Sequence, residues 1–582
     1  MKRRIVLMGC VLAALVSAAA IASTAEAHEV PAREGGAAAG LTDAFSATLV
    51  LLRGAKKVAA APCVGTPASG FAGPYPCKDI DLAAYLTTNE LGGGTNSDIW
   101  GWTDPMCNRE YALLGMSESA VFVDVTIPEA PVVRGLIPFP RTVVPPNAAP
   151  GTLWREIKVY ANHAYIVQDL IGSGVQIFDL TRLRLPAPAP PCGAPVVGGP
   201  VPQFDSDAVY TQQGAGPTVE NVHTITINEA TGFAYLNGSN TCAGAPHMID
   251  LKPNGAFGPK NPRYVGCAGN DGYTHDAQCV VYGGPDTGHL GKEICVLYNE
   301  DTLTVVDVTN KSAPVQLERE TYTGAKYTHQ GWFTVGQRYI LSDDELDEGQ
   351  TVAQNIPTKT HLWDASDLDN LVKIGTFNHP NTRTADPNDR LICIDHNQYV
   401  LGNLVYQSNY ACGLRIYSLS NIASGTLNEV AYFDTMPAAD LSFNIGGDVT
   451  GDWSNYPYFA SGTVVVSNIT EGLFVLQPRL APTAVKVASF RARQAGKRVT
   501  LSWRTASERE ILGFNVFRDA QGRRVKVTKS LVPAKSLGQV AGARYTFVDR
   551  NVRAGTAYTY RLQVVSKDGR RAWYANSTVR AR

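Results

Sequence analysis

Short apolar runs alternate with turn residues along most of the chain, and residues 159–182 show this pattern most clearly. Their sequence, VYANHAYIVQDLIGSGVQIFDLTR, predicts two strands at 164–168 and 174–180 with a Gly/Ser turn between them. A polar residue, Asp179, closes the unit. The stretch contains no apolar stripe of helical period, so it predicts β-structure.

The same unit recurs six more times, which makes the chain a repeat array. The closing polar residues of the seven units are Asp124, Asp179, Asp250, Asp307, Asp364, Ser418 and Gln477. They lie 54 to 71 residues apart. This spacing is too long for ankyrin or tetratricopeptide repeats and suits a four-stranded propeller blade with generous loops.

One such unit cannot bury both faces of its small sheet, so the units must pack on one another. We therefore predict an all-β chain with a β-propeller at residues 96–480, and seven repeats imply seven blades. A small β-sandwich is expected to follow. Residues 28–95 are expected to form an N-terminal extension that packs on the first blade.

The pattern changes after residue 480. Residues 481–582 alternate apolar and polar positions over short strands, as in VTLSWRTASEREILGFNVFRD and AYTYRLQVVSKDG, which predicts a β-sandwich and resembles a fibronectin type III domain. Trp503 is expected in its core, and Tyr558 is expected to make a tyrosine-corner contact. This segment holds 22 Lys/Arg and 5 Asp/Glu, which leaves 29 basic and 47 acidic residues before it. A strongly basic domain thus follows an acidic body, although the net charge of the chain is only −1.

The first 27 residues combine a basic start, an apolar run and an A-x-A motif at 25–27, as in a secretory signal peptide cleaved before His28. No later apolar run is long enough to predict a transmembrane segment. We therefore expect a secreted or extracellular protein, with cell-surface association as a further possibility.

Ten of the eleven cysteines lie beyond the predicted signal, and an even number in an exported chain favours disulfides. Spacing does not fix their connectivity. Pairing of near neighbours would join Cys63 with Cys77, Cys242 with Cys267, Cys279 with Cys295 and Cys393 with Cys412, and would leave Cys107 for Cys192.

Four of the ten histidines occupy one repeat position, where the innermost strand of a blade is predicted to begin. Innermost strands line the axis of a propeller, so these side chains are predicted to crowd one mouth of its channel. The residues expected at this mouth, as a ligand-binding site, are Asp98, Arg155, Glu156, His223, His275, Asp276, His329, His396 and Asp452.

Two interpretations of these histidines are open. Each imidazole could hold its blade by bonding backbone in the next turn, because repeats also copy structural residues. Alternatively, His223, His275, His329 and His396 could bind a transition metal, since neutral imidazole is the commonest metal ligand in proteins.

The acidic run SDDELDEG at 342–349 is a second candidate. Asp343, Asp344 and Asp347 could supply hard oxygen ligands to Ca²⁺, but the run lacks EF-hand spacing and a solvated acidic loop is the alternative. No nucleophile elbow, zinc-protease motif or Walker loop occurs. Nucleic acid is not an expected partner, because the chain is predicted to be exported and its basic residues are scattered.

Several segments carry a family resemblance: SDIWGWTDP at 97–105, WREIKVYANHAYIV at 154–167, YTHDAQCVVYGGPD at 273–286, LSDDELDE at 341–348 and GLFVLQP at 472–478. Over about residues 63–478 the chain resembles the choice-of-anchor B family of bacterial exported proteins, related to LVIVD-repeat propellers. The resemblance implies a secreted or surface-exposed propeller, but no reaction and no catalytic residues. Since the chain has no sorting motif or terminal apolar helix, covalent anchoring is not expected.

Two functions from different classes follow. The first is a non-catalytic binding or adhesion module for a protein or carbohydrate ligand, tethered through its basic domain to an anionic cell-envelope polymer. The alternative is an extracellular metal-dependent hydrolase or lyase with its site at the histidine-lined mouth.

Overall fold

The computed structural model describes residues 59–66, 69–138, 153–185, 191–193, 201–212, 216–269, 271–347, 357–379, 393–436, 450–480, 487–495, 498–505, 511–520, 523–535, 543–566 and 571–580. The predicted signal peptide lies outside these residues. Among the described helices, none is long and apolar enough to cross a membrane.

Seven antiparallel sheets, each built on a meander of consecutive strands, account for most of the described residues; six have four strands and one has seven. Sheet 1 consists of Asn96–Thr103, Glu110–Met116, Ser119–Asp124 and Val132–Pro138. Sheet 2 consists of Arg155–Tyr160, His163–Gln168, Val175–Asp179 and Ala208–Tyr210. Sheet 3 consists of Thr224–Asn228, Phe233–Asn237, His247–Asp250 and Arg263–Cys267. Sheet 4 consists of Asp276–Val281, Glu293–Tyr298, Leu303–Asp307 and Val315–Glu320.

The later sheets include strands from the N-terminal region. Sheet 5 consists of Thr328–Phe333, Tyr339–Asp344, Lys359–Asp364 and Val372–Asn378. Sheet 6 consists of Gln398–Leu401, Leu404–Ser408, Leu414–Ser418 and Asn428–Phe433, extended at its edge by Tyr75–Lys78, Gly70–Ala72 and Val64–Gly65. Sheet 7 consists of Asp452–Tyr456, Val464–Asn468, Gly472–Pro478 and Ile80–Thr87. The described helices are short and comprise Thr88–Leu91, Leu180–Leu183, Cys242–Gly244 and Leu419–Ser424.

The first strands of these sheets form a ring. Each contacts the first strands of the preceding and following sheets, and the ring closes where Asp452–Tyr456 meets Asn96–Thr103. The hydrophobic clusters lie between neighbouring sheets, for example Val121 and Val123 of sheet 1 against Val465 and Val475 of sheet 7. This arrangement confirms the predicted β-propeller.

The described part of the N-terminal extension belongs to the propeller, and does not only pack on its surface. Ile80–Thr87 pairs antiparallel with Gly472–Pro478 as the outer strand of sheet 7. Its Ala84 and Leu86 also share a buried cluster with Ile99 of sheet 1. The first and last parts of the fold are thus joined within one sheet.

The recurrent closing residue has a local structural role. The side-chain oxygen of Asp124 accepts a hydrogen bond from the backbone N–H two residues later, at 3.1 Å. The same bond forms at the equivalent residues Asp179, Asp250, Asp307, Asp364 and Ser418. These short side chains therefore turn the chain after the third strand, which explains their recurrence.

The C-terminal residues form two sheets around a separate core, as the predicted β-sandwich requires. One contains Val487–Ala495, Arg498–Thr505 and Arg544–Asp549. The other contains Arg523–Lys526, Ile511–Ala520, Ala557–Ser566 and Arg571–Arg580, with Val532–Pro533 paired to Ile511–Ala520. Trp503 is buried and stacks on Tyr545 at 5.1 Å, while the Tyr558 hydroxyl accepts a hydrogen bond from the Arg553 N–H at 2.9 Å. Both aromatic side chains occupy their predicted roles.

Five disulfides link the cysteines in the pairs that near-neighbour pairing predicts. They join Cys63–Cys77, Cys107–Cys192, Cys242–Cys267, Cys279–Cys295 and Cys393–Cys412. Such a set of bridges is typical of proteins that fold in an oxidising compartment.

Candidate functional site

The four recurrent histidines meet at one end of the ring. His223 and His275 directly precede the first strands of sheets 3 and 4, His329 is the second residue of sheet 5, and His396 precedes sheet 6 by two residues. Their ring centroids are 4.3, 4.3 and 4.2 Å apart in chain order, and all four line one cavity. We call these residues the histidine cluster.

The outer nitrogens of three of these rings are held by acceptors. Nδ1 of His275 lies 3.0 Å from the backbone carbonyl oxygen of His329, and Nδ1 of His396 lies 2.6 Å from that of Trp453. Nδ1 of His223 lies 3.2 Å from a carboxylate oxygen of Asp169. Carbonyl and carboxylate oxygens can only accept, so each of these Nδ1 atoms carries the proton. In a neutral ring this leaves Nε2 with a free lone pair.

The inner nitrogens converge. Nε2 of His223 and Nε2 of His275 are 2.7 Å apart. With both Nδ1 atoms protonated, two neutral rings would place lone pairs against each other at this distance. A proton shared between the two nitrogens removes that repulsion at this distance, and a metal ion bound by both lone pairs would remove it with the nitrogens moved apart to suit metal–nitrogen bonds of about 2.0–2.1 Å. Histidine ligands of metals commonly donate their other ring N–H to a carbonyl or carboxylate, as these two rings do.

Glu345 completes the other half of the cluster. Its carboxylate lies 3.7 Å from Nε2 of His329 and 3.6 Å from Nε2 of His396, and it accepts a hydrogen bond from the Tyr410 hydroxyl at 2.6 Å. One ligand atom from each of His329, Glu345 and His396 lies within 4.8 Å of the others, as in a set of metal ligands.

Burial sets the charge of these groups. It lowers the pKa of His275 and His329 well below the ordinary value, with a further contribution from neighbouring imidazoles, and it lowers the pKa of His396 to about 3. These rings are therefore neutral near neutral pH, which is the form that binds metal. Burial also raises the pKa of Glu345 to about 7, so its carboxyl can both accept and release a proton near neutral pH.

Three carboxylates and a lysine lie beside the cluster. Asp98, Glu156 and Asp276 line the same cavity, and the Lys158 ammonium is 3.3 Å from Asp98 and in close contact with Glu156. Burial raises the pKa of Glu156 to about 8 and that of Asp276 to about 7. Burial and the neighbouring carboxylates both disfavour the charged form of these two acids, while the Lys158 ammonium favours it.

Aromatic side chains follow along the same first strands. The Lys158 ammonium lies 4.5 Å from the Trp100 ring centroid, and Trp100 of sheet 1 lies 5.6 Å from Tyr399 of sheet 6. Trp332 of sheet 5 lies 5.1 Å from the same tyrosine. Rings from non-adjacent sheets thus meet inside the channel. The cavity has a volume of about 30 Å³, which is enough for an ion and one or two waters.

The structure brings together most of the residues predicted at the mouth, with one exception. The following line the cavity: Asp98, Arg155, Glu156, His223, His275, Asp276, His329 and His396. Asp452 does not; its carboxylate accepts hydrogen bonds from the Thr435 hydroxyl and the Asn468 amide, and the neighbouring Trp453 lines the cavity instead. The prediction for Asp452 failed because alternate residues of a strand point to opposite sides.

In its described part, residues 342–347, the acidic run is not a solvated loop. Asp343 and Asp344 end a buried strand, where Asp344 accepts hydrogen bonds from the Tyr322 hydroxyl and the backbone N–H groups of Lys326 and Tyr327, each at 2.7 Å. Asp347 forms an ion pair with Lys359 at 2.9 Å. The three aspartates do not form one oxygen site, because Asp343 faces His329 whereas Asp344 and Asp347 group with His361.

The sequence analysis did not assign Glu345, Tyr410, Asp169 or Lys158 to the mouth. Period-two alternation was an available signal for two of them. Glu345 lies two residues after Asp343, just past the end of its strand, and Lys158 lies two residues after Glu156 on one strand. Asp169 and Tyr410 come from other strand ends, and no sequence signal marks them.

No protein-family model and no curated protein matches the chain. A structure of a protein from Lactobacillus plantarum is similar at 13% identity and a TM-score of 0.37, covering 74% of this chain and 96% of that chain. The C-terminal WD40 domain of Sif2 is similar at 9% identity and a TM-score of 0.37, covering 72% and 97%. Similarities this low say nothing about function, and the strand topology carries the fold assignment.

Proposed function

We propose that this chain is an exported propeller metalloprotein with a divalent transition-metal ion bound by the histidine cluster. The observation that carries the proposal is that one ligand atom from each of His329, Glu345 and His396 lies within 4.8 Å of the others, beside two further imidazoles whose Nδ1 atoms are already committed to acceptors. A set of imidazole nitrogens suits zinc, copper, iron or nickel and does not suit Ca²⁺.

The function that this site supports best is a metal-dependent hydrolase or lyase. A bound transition metal would supply a Lewis acid, and Glu345, which lies beside His329 and His396, would serve as a further ligand or as a proton acceptor. The small cavity favours a small substrate, or the end group of a larger one.

The test is the metal content of the tag-free protein purified from the exported fraction, before and after dialysis against a chelator. We expect about one equivalent of a transition metal per chain, lost in a His275→Ala/His329→Ala double variant. His163→Ala is the control, because His163 lies outside the cluster and bonds only backbone at 2.9 Å. Wild-type protein that remains folded, yet takes up no transition metal when supplied with it, would refute the proposal, as would unchanged metal content in the double variant.

A second proposal concerns location. We infer that the protein acts outside the cytoplasm as a binding module held at the cell envelope by residues 481–582. The ten paired cysteines and the excess of basic residues in this segment support the inference. Membership of the choice-of-anchor B family and a fibronectin type III-like domain would agree with it. Deleting 481–582 should release the protein from cells, and unchanged retention would contradict the inference.

A further inference from the structure

One face of the C-terminal sandwich is covered by arginines. Its three-stranded sheet buries Phe490, Val499, Leu501, Trp503 and Tyr545 on the inner side. The alternate positions point outward and include five exposed arginines: Arg491, Arg493, Arg498, Arg504 and Arg544. We call this set the arginine face.

The strand register brings these charges close together. Arg504 pairs directly with Arg544 on the neighbouring strand, which places their Cβ atoms about 5 Å apart. Arg491 and Arg493 are alternate residues of one strand, about 7 Å apart. Like charges directly opposite each other destabilise a sheet, so this arrangement costs stability unless a bound anion offsets the repulsion.

Three arginines of the other sheet, in contrast, are held in ion pairs. Arg518 pairs with Asp549 at 2.7 Å, while Arg524 and Arg561 both pair with Asp519, at 2.8 and 2.6 Å. Among the described residues, the arginine face has no ion pair with a carboxylate. Its guanidinium groups are therefore available to an external anion.

The positions between the arginines add hydrogen-bond donors. Thr500, Ser502 and Thr546 point outward on the same strands, and Ser502 lies between Arg491 and Thr546 across the sheet. The outward positions of these strands carry no carboxylate among the described residues. The face thus offers cations and hydroxyls to a partner rich in acceptor oxygens, and guanidinium can hold a phosphate through two parallel bonds.

We propose that the arginine face binds a linear phosphodiester polymer of the cell envelope. This inference rests on the proposed tethering and names the surface and the partner that would produce it; it is independent of the metal centre. A phosphodiester keeps one full charge per repeat throughout the pH range in which proteins fold, so several guanidinium groups can engage successive phosphates of one chain.

The experiment measures binding of the full-length protein to immobilised poly(glycerol phosphate). The test variant carries Arg491→Gln, Arg493→Gln, Arg504→Gln and Arg544→Gln. The matched control carries Lys526→Gln, Lys529→Gln, Arg550→Gln and Arg553→Gln, which removes the same charge from exposed positions elsewhere on the sandwich. Thermal unfolding and the near-ultraviolet circular dichroism spectrum check that each variant is folded.

We expect the test variant to bind at least about tenfold more weakly, with a smaller effect of added salt, and the control to bind nearly as the wild type does. Equal losses in both variants would mean that net charge alone drives binding, and would overturn the assignment of this face. Equally tight binding of polygalacturonate, a carboxylate polymer, would overturn the phosphodiester assignment. Displacement by DNA, itself a phosphodiester polymer, at lower concentrations than by the soluble polymer would overturn the assignment of the partner to the cell envelope.

Cell fractionation separates this inference from the tethering on which it rests. If deletion of 481–582 releases the protein but the folded test variant stays on cells, tethering holds and the arginine face is not its cause. If the test variant loses both the polymer and the cells, both proposals stand.

Discussion

At the scale of single residues, the two interpretations of the recurrent histidines turn out to be compatible. His275 and His396 use Nδ1 to bond backbone of the following sheet, as a structural role requires. The same bond fixes the tautomer and directs Nε2 into the cavity, as a metal ligand requires. One repeat position therefore serves both the ring of sheets and the site inside it.

The buried imidazoles should make the metal-free protein sensitive to acid. An unfolded histidine takes up a proton near pH 6.5, whereas His396 in the folded protein does so only near pH 3. Between these values the unfolded state binds more protons, so the free energy of unfolding falls as the pH falls.

His396→Asn should make this fall shallower between about pH 6.5 and about pH 3, by an amount on the order of a few kcal/mol over the window. Asn has no titrating ring, and its amide can still donate to the Trp453 carbonyl. The measurement is urea unfolding of the metal-free protein at a series of pH values, with His163→Asn as control. Parallel pH profiles for His396→Asn and wild type would contradict the prediction.

Residue-level prediction from sequence succeeded where repetition supplied the signal. Equivalent positions in successive units put His223, His275, His329 and His396 in one cavity. It failed for Asp452, because a shift of one residue along a strand exchanges the faces. It also missed Tyr410, whose place beside Glu345 depends on how distant strand ends pack.

At the scale of elements, one strand holds the ring closed. Ile80–Thr87 pairs with Gly472–Pro478, nearly 400 residues away in the chain, through seven register pairs. Sequence analysis found the repeats because each forms its own local meander. It could not find this pairing, because the segment IDLAAYLT is not joined to its partner by a short turn and does not match the repeat pattern.

Removal of this strand should destabilise the whole propeller. A chain that begins at Gly92 would leave the edge of Gly472–Pro478 unpaired and expose Leu473 and Val475, which the strand helps to bury. We expect that chain to aggregate, or to unfold at a temperature at least about 10 °C lower, because the loss of many buried apolar contacts costs several kcal/mol. A chain that begins at Ala59 is the control. Equal melting temperatures for the two chains would show that the strand is dispensable.

At the scale of the whole molecule, the two parts have separate cores. The cluster around Trp503 includes only residues between Phe490 and Val579, whereas the described clusters of the propeller include none beyond Leu480. Parts that share no buried contacts unfold independently, and a ligand stabilises only the part that holds its site.

Calorimetry of the full chain should therefore show two unfolding transitions that two ligands shift separately. Chelation should lower only the larger transition, because the histidine cluster lies in the propeller. Poly(glycerol phosphate) should raise only the smaller one, because the arginine face lies in the sandwich, and a chain ending at residue 480 should keep the larger transition and its response to chelator. A single transition shifted by both treatments would mean that the parts fold as one unit, and that polymer held at the sandwich stabilises the metal site in the propeller.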